Sequence, residues 1–160
     1  MTTQAFEKAF AHTVGVEGGY SDHPSDRGGK TMFGITEAVA RSYGYSGDMR
    51  SMPISIAKDI YSKKYWSKLN LDEIAVMSDE LAAKLFDIGV NMGQARAGLF
   101  LQTALNAFNQ QAKLYPDIVE DGDIGPTTIK TLRAYYTKRG VLGAKVMLRA
   151  ANCLQGTFYI

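Results

Sequence analysis

Residues 3–36 read TQAFEKAFAHTVGVEGGYSDHPSDRGGKTMFGIT, and the change of pattern inside this stretch sets the fold class. Phe6, Phe10 and Val14 recur at four-residue steps with Ala9, Thr13 and Val16 beside them, the spacing of an amphipathic helix over residues 3–17. The pair Gly18-Gly19 is predicted to end it. Over residues 20–34 the periodicity gives way to Pro, Gly, Ser and Asp, which predicts a structured loop or a short hairpin.

Downstream the helical spacing returns. Thr36 is placed to cap a short helix reaching about residue 43, and Pro53, as a first-turn residue, opens another that ends near Trp66, with Ile56, Ile60 and Tyr61 on one face. Ser78, followed by Asp79 and Glu80, starts a third, in which Leu81, Leu85, Ile88 and Met92 form a buried stripe. Gly89 and Gly93 permit close packing or a break in it. Ala97, Leu101, Ala104, Leu105 and Phe108 mark the next helix, and YPDIVEDGDIGP (115–126) is a turn-rich connection. The pattern Ile129, Leu132, Tyr136 follows, and a last helix runs from about Val141 into GTFYI, which carries no helix-stop signal. Nowhere do β-branched or aromatic residues alternate with polar ones over a strand's length. The fold class is therefore mainly α with at most a short hairpin, and a mild compositional shift near Ser78 predicts two lobes, residues 1–80 and 81–160.

Composition narrows the function classes. The chain has 160 residues, 46% hydrophobic and 21% charged, long enough to bury roughly 70% of its extended surface without a disulfide or a metal. A single cysteine, Cys153, excludes an intramolecular bridge and reads as a buried small residue. A net charge of +2 without a Lys/Arg block argues against nucleic acid as a partner. No stretch approaches the roughly 20 apolar residues of a membrane span, and no signal peptide is visible. Two histidines, His12 and His23, and one distant cysteine do not make a metal set.

The chemistry concentrates in residues 16–36. Glu17, at the expected negative end of its helix and beside Val14 and Val16, sits where the neutral acid is favoured, as a proton donor requires. Asp26, nine residues on, stands beside Arg27 among glycines, a wetter setting that keeps a carboxylate ionised; the alternative is a turn-forming aspartate. Two carboxyls in opposed environments suit glycoside hydrolysis, one protonating the leaving oxygen while the other activates water or attacks the sugar, and Thr31 can hold that water. Tyr20, Phe33 and Trp66 are each able to stack on a sugar face or to fill core; Tyr20 is the best platform, whereas Trp66, at the end of an apolar stripe, reads as core. The amides of Asn91 and Gln94 suit either N-acetyl groups or a helix end. Asp121-Gly122-Asp123 lacks the ligand alternation of a calcium loop and reads as a turn into a helix whose first residue is Pro126.

These residues carry a resemblance. The run Glu17-Gly18-Gly19-Tyr20, then Asp26-x-Gly28-Gly29-x-Thr31 and Gly34-Ile35-Thr36, resembles the signature of the glycoside hydrolase family 108 lysozymes of phage endolysins and prophage loci. It continues through Ala57, Ile60-Tyr61 and Tyr65-Trp66, and residues 86–131 resemble the predicted peptidoglycan-binding region that follows in that family. The resemblance implies an N-acetylmuramidase of lysozyme-like helical fold, with residues 1–80 as catalytic lobe, residues 81–160 as peptidoglycan-binding lobe and Glu17 as the catalytic glutamate. An enzyme of that kind is expected to cut the β-1,4 bond between N-acetylmuramic acid and N-acetylglucosamine in peptidoglycan glycan strands. No cofactor is expected. The order Glu, eight residues, Asp, four residues, Thr is similar to that of phage lysozymes, with one residue fewer before Thr31. Some relatives are called secretion activators, a role that opening a passage through the wall would explain. The alternatives are a lytic transglycosylase, which leaves a 1,6-anhydro sugar, and a non-catalytic wall-binding module. An enzyme without an export signal is expected to collect in the cytoplasm and reach the wall after release. The sequence leaves oligomeric state open.

Overall fold

Thr3 caps the first helix, α1 (Gln4–Thr13), its hydroxyl accepting the Phe6 N–H at 3.3 Å. The structure, a computed structural model, describes residues 3–16, 18–25 and 27–159; the expectations for Glu17 and Asp26 lie outside the described residues. α1 stops short of the expected end at residue 17. Gly15 takes a φ of 85°, and the N–H groups of Val14 and Gly15 both bond back to the Phe10 carbonyl. A left-handed glycine therefore closes the helix before Gly18-Gly19 is reached.

Three two-residue strands follow, β1 (Tyr20–Ser21), β2 (Thr31–Met32) and β3 (Ile35–Thr36). They pair antiparallel in the order β1-β2-β3, with Tyr20 opposite Met32, Ser21 and Thr36 both opposite Thr31, and Met32 opposite Ile35. Thr36 then caps α2 (Glu37–Ser42), accepting from the Val39 N–H. A 3₁₀ turn (Met49–Ser51) leads to α3 (Ile54–Tyr61), with Pro53 as the residue before the helix rather than inside its first turn. α3 runs directly into a π-helical turn, Ser62–Trp66. α4 (Leu71–Met77) had no sequence signal: it is seven residues long, and Asn70 opens it in a left-handed conformation without a side-chain cap. Ser78 caps α5 (Asp79–Met92), Gly93 at φ 96° breaks it from α6 (Gln94–Ala107), and α7 (Pro126–Tyr159) is interrupted at Gly140.

α5 is the axis of the molecule, packing against α1, α4, α6 and α7. Its buried set of Leu81, Ala82, Leu85, Phe86, Ile88 and Gly89 is wider than a single stripe because the helix is covered on several sides. Phe6 and Phe10 of α1, both fully buried, meet it through an aromatic cluster. Phe6 lies edge-on to Trp66 at 5.5 Å and to Phe86 at 5.8 Å, and Phe10 lies edge-on to Tyr61 at 5.5 Å. Burial of each ring contributes roughly 1.5–3 kcal/mol, and each edge-to-face pair about 0.5–1.5 more. Trp66 is core, as expected, and its indole N–H donates to Asp72 at 2.8 Å. Gly89 serves close approach, since a Cβ there would lie 2.9 Å from a Leu69 methyl carbon.

Cys153 departs from expectation: it is exposed. Met147, Ala151 and Gln155 are the buried residues of this part of α7, spaced by four, so position 153 falls on the opposite face. Among the described residues no helix is long and apolar enough to cross a membrane.

Candidate active site

The chain leaving α1 at Gly15 returns to the sheet through Gly18, and there the packing is tightest. A Cβ on Gly18 would lie 1.9 Å from Cδ1 and 2.0 Å from Cε1 of Phe33, so the ring lies directly on the glycine backbone. Phe33 and Gly34 form the two-residue turn between β2 and β3, with φ values of 52° and 74°. Such a turn needs positive φ at both centres and ordinarily takes Asn-Gly. A phenylalanine there costs about 1–2 kcal/mol and persists only where the surroundings over-determine it. Two contacts do so: the ring is clamped on Gly18, and the Phe33 carbonyl accepts a buried hydrogen bond from the Tyr61 hydroxyl at 2.8 Å. Burial, with a smaller contribution from Tyr65, pushes the Tyr61 phenol up to about 12, so it remains a donor.

The sheet brings three of the expected site residues together. Thr31 is half-buried in the middle strand, Tyr20 stands on the neighbouring strand and Phe33 ends the same hairpin. Phe33 is buried and serves as a spacer under the turn more than as an open platform. Tyr20 is half-buried; the Arg50 guanidinium carbon lies 4.8 Å from its ring centre and covers one face, and its hydroxyl donates to Asp22 at 3.4 Å. Behind the turn, Gly34, Ile35 and Thr36 face Ile60, Tyr61, Lys64 and Tyr65 across a cavity of about 80 Å³.

Gln94 and Asn91 are fastened elsewhere. The Gln94 amide donates to the Lys64 carbonyl at 3.0 Å, supplying a partner to the π-helical turn, whose bonding departs from the α-helical ladder. The start of α6 and the β2–β3 turn are thus both tied to residues 61–64. Asn91 donates to the carbonyl of Asp87 at 2.9 Å and to its carboxylate at 3.2 Å, away from the sheet contacts. Neither Tyr61 nor the π-helical turn was singled out as part of a site from the sequence. Their signal was the apolar stripe of α3, which reads as core and conceals the hydroxyl.

In the second half, Gln102 on α6 is 1% exposed and organises the loop before α7. Its amide nitrogen donates to the Asp121 carboxylate (2.9 Å), the Asp123 carbonyl (3.0 Å) and the Thr128 hydroxyl (3.2 Å), and its oxygen accepts the Gly122 N–H (2.8 Å). The Asp123 N–H first, and Gln102 second, hold the Asp121 carboxyl below the usual carboxylate range. The loop is a turn into a helix that begins at Pro126, as its sequence suggested. His12 is exposed, and among the described residues no cluster of His, Cys, Asp and Glu is arranged to hold a metal ion.

On this mainly α body, with its small sheet beside the end of the first helix, the family matches place a glycoside hydrolase unit followed by a peptidoglycan-binding unit. The description "Glycosyl hydrolase 108" matches residues 10–93, more than half of the chain, and "Predicted Peptidoglycan domain" matches residues 96–160. The chain belongs to the glycosyl hydrolase 108 family. Its fold is similar to that of SagA from Brucella abortus, with a TM-score of 0.60 and 24% identity over 94% of each chain. No curated protein matches the chain.

Proposed function

We propose that the protein is an N-acetylmuramidase that hydrolyses the β-1,4 bond between N-acetylmuramic acid and N-acetylglucosamine, with Glu17 as general acid. Asp26 acts as the base or electrostatic partner, and Thr31 holds the attacking water. In this reading Glu17 delivers its proton to the bridging oxygen as the bond to the anomeric carbon breaks, and water completes the hydrolysis at that carbon. Tyr20, half-buried on β1, serves as the platform for a sugar ring. Residues 1–80 form the catalytic lobe and residues 81–160 the wall-binding lobe, and the enzyme, made in the cytoplasm, meets the wall after release.

The observation that carries the reading is the over-determined turn at Phe33-Gly34. Strain of this kind is retained where geometry matters, and here it locks the sheet bearing Thr31 and Tyr20 onto Gly18, the residue that follows Glu17 in the chain. The test is Glu17→Gln, assayed by clearing of purified peptidoglycan and by mass spectrometry of the fragments. Loss of clearing with an unchanged circular dichroism spectrum is expected, together with reducing muramic ends released by the wild type. Retained clearing would falsify the assignment of Glu17, and 1,6-anhydro ends would make the enzyme a lytic transglycosylase.

A further inference from the structure

Where α1 ends, a chain of polar contacts crosses from one family unit to the other. Thr13, the last residue of α1, donates its hydroxyl to Oδ1 of Asp87 on α5 at 3.2 Å, and Asn91 donates to the same oxygen at 3.2 Å. The other oxygen, Oδ2, accepts from Nε2 of Gln155 at 2.7 Å, and Oε1 of Gln155 accepts from Nζ of Lys84 at 2.7 Å. Gln155 stands in the closing turns of α7, inside the peptidoglycan-domain match, and is 7% exposed. Thr13 and Asp87 belong to the glycosyl hydrolase match.

The orientation of this amide is fixed by its neighbours. Its nitrogen faces a carboxylate and its oxygen an ammonium group, so a flip would set two acceptors against each other on one side and two donors on the other. Buried between them, Gln155 transmits the placement of α7 to Asp87, and Asp87 holds the end of α1.

We propose that Asp87 and Gln155 are positioning residues, a clamp by which the last turns of α7 hold the end of α1 and with it the segment leading to Glu17. The catalytic part of this inference rests on the reading of Glu17 as the acid. The peptidoglycan-binding region is then a structural component of the hydrolytic centre as well as an anchor on the wall.

The polarity of the pair supplies the test. Asp87→Asn opposes one amide nitrogen to another, and Gln155→Glu opposes two carboxylates. The double variant reverses the bond: the amide introduced at position 87 donates to the carboxylate introduced at position 155. That carboxylate's second oxygen still accepts from Lys84, and the amide oxygen at position 87 still accepts from Thr13 and Asn91. Hydrogen exchange of the amides at residues 14–20 is followed by mass spectrometry, and kcat and KM are measured on soluble peptidoglycan fragments. Each single variant should exchange on the order of tenfold faster in that segment. Each should lose about tenfold or more in kcat with KM held, as expected of a misplaced catalytic group, and the double variant should recover both. Unchanged exchange in the single variants, or a double variant no better than they are, overturns the clamp. Faster exchange with wild-type kcat overturns its positioning role. The Glu17 reading fails separately, if Glu17→Gln still turns over the same fragments.

Discussion

Gly18→Ala tests how firmly the sheet is locked beside the end of α1. The new methyl would lie 1.9 Å from Cδ1 and 2.0 Å from Cε1 of Phe33, where carbon atoms need roughly 3.5–4.0 Å. The ring must therefore retreat by more than an ångström, yet it is buried and its own carbonyl is held by Tyr61 at 2.8 Å. Overpacking of this kind costs about 1–3 kcal/mol. Phe33→Ala alone removes the ring and should cost about 3 kcal/mol. In the double variant the methyl introduced at position 18 enters the space the ring has left, so the two effects should fall short of their sum by at least ~1 kcal/mol. Urea unfolding followed by circular dichroism, with equal m-values, measures all four corners of the cycle. Turnover on purified peptidoglycan should drop in the Gly18→Ala variant as the sheet shifts. A variant within ~0.5 kcal/mol of wild type, or strict additivity in the double, refutes the lock.

Two further outcomes follow from the polar interior. Gln102→Leu removes the four hydrogen bonds by which this side chain holds Asp121, Gly122, Asp123 and Thr128, and leaves the Gly122 N–H without its acceptor; a loss of about 2–4 kcal/mol is expected. For a chain of this length that lowers Tm by roughly 4–16 °C in differential scanning calorimetry, and an unshifted Tm would show that water replaces the glutamine. The Tyr61 phenol titrates near 12 in the folded protein against about 10 unfolded, so the unfolded chain binds fewer protons between these values. Its stabilising contribution is complete below pH 10 and is lost as pH rises from about 10 to about 12; the decline should be shallower in Tyr61→Phe, and identical pH curves for the two proteins would remove the phenol from the account.

Much of the architecture could be read before any coordinates. Ser78 before Asp79-Glu80 and Thr36 before Glu37 each mark a helix start, because capping is a local hydrogen bond between residues three apart, and Pro126 marks another because its fixed φ and missing N–H suit the first helical position. The four-residue steps of Phe6 and Phe10, and of Leu81 and Leu85, name core residues for the same reason: period alone assigns a face. Where α1 ends was less legible, since Gly15 and Gly18-Gly19 are both helix-stop signals and only the backbone shows that the first is used. α4 escaped because seven residues with two buried positions hold too little periodicity, and its stability comes from α5 and α7 packed against it. Cys153 was misplaced for want of the register of α7, which the buried Ala151 and Gln155 fix.

The order of residues thus determined the helical class, the family motif from Glu17 to Thr36 and the identity of the candidate acid, since each depends on neighbours along the chain. Only the folded arrangement decided that Phe33 rests on Gly18, that Tyr61 bonds the strained turn, and that Gln155 reaches Asp87 across 68 positions of sequence. Those contacts form between groups whose separation along the chain carries no periodic trace. They arise when helices burying their own apolar faces bring polar groups close enough to require partners.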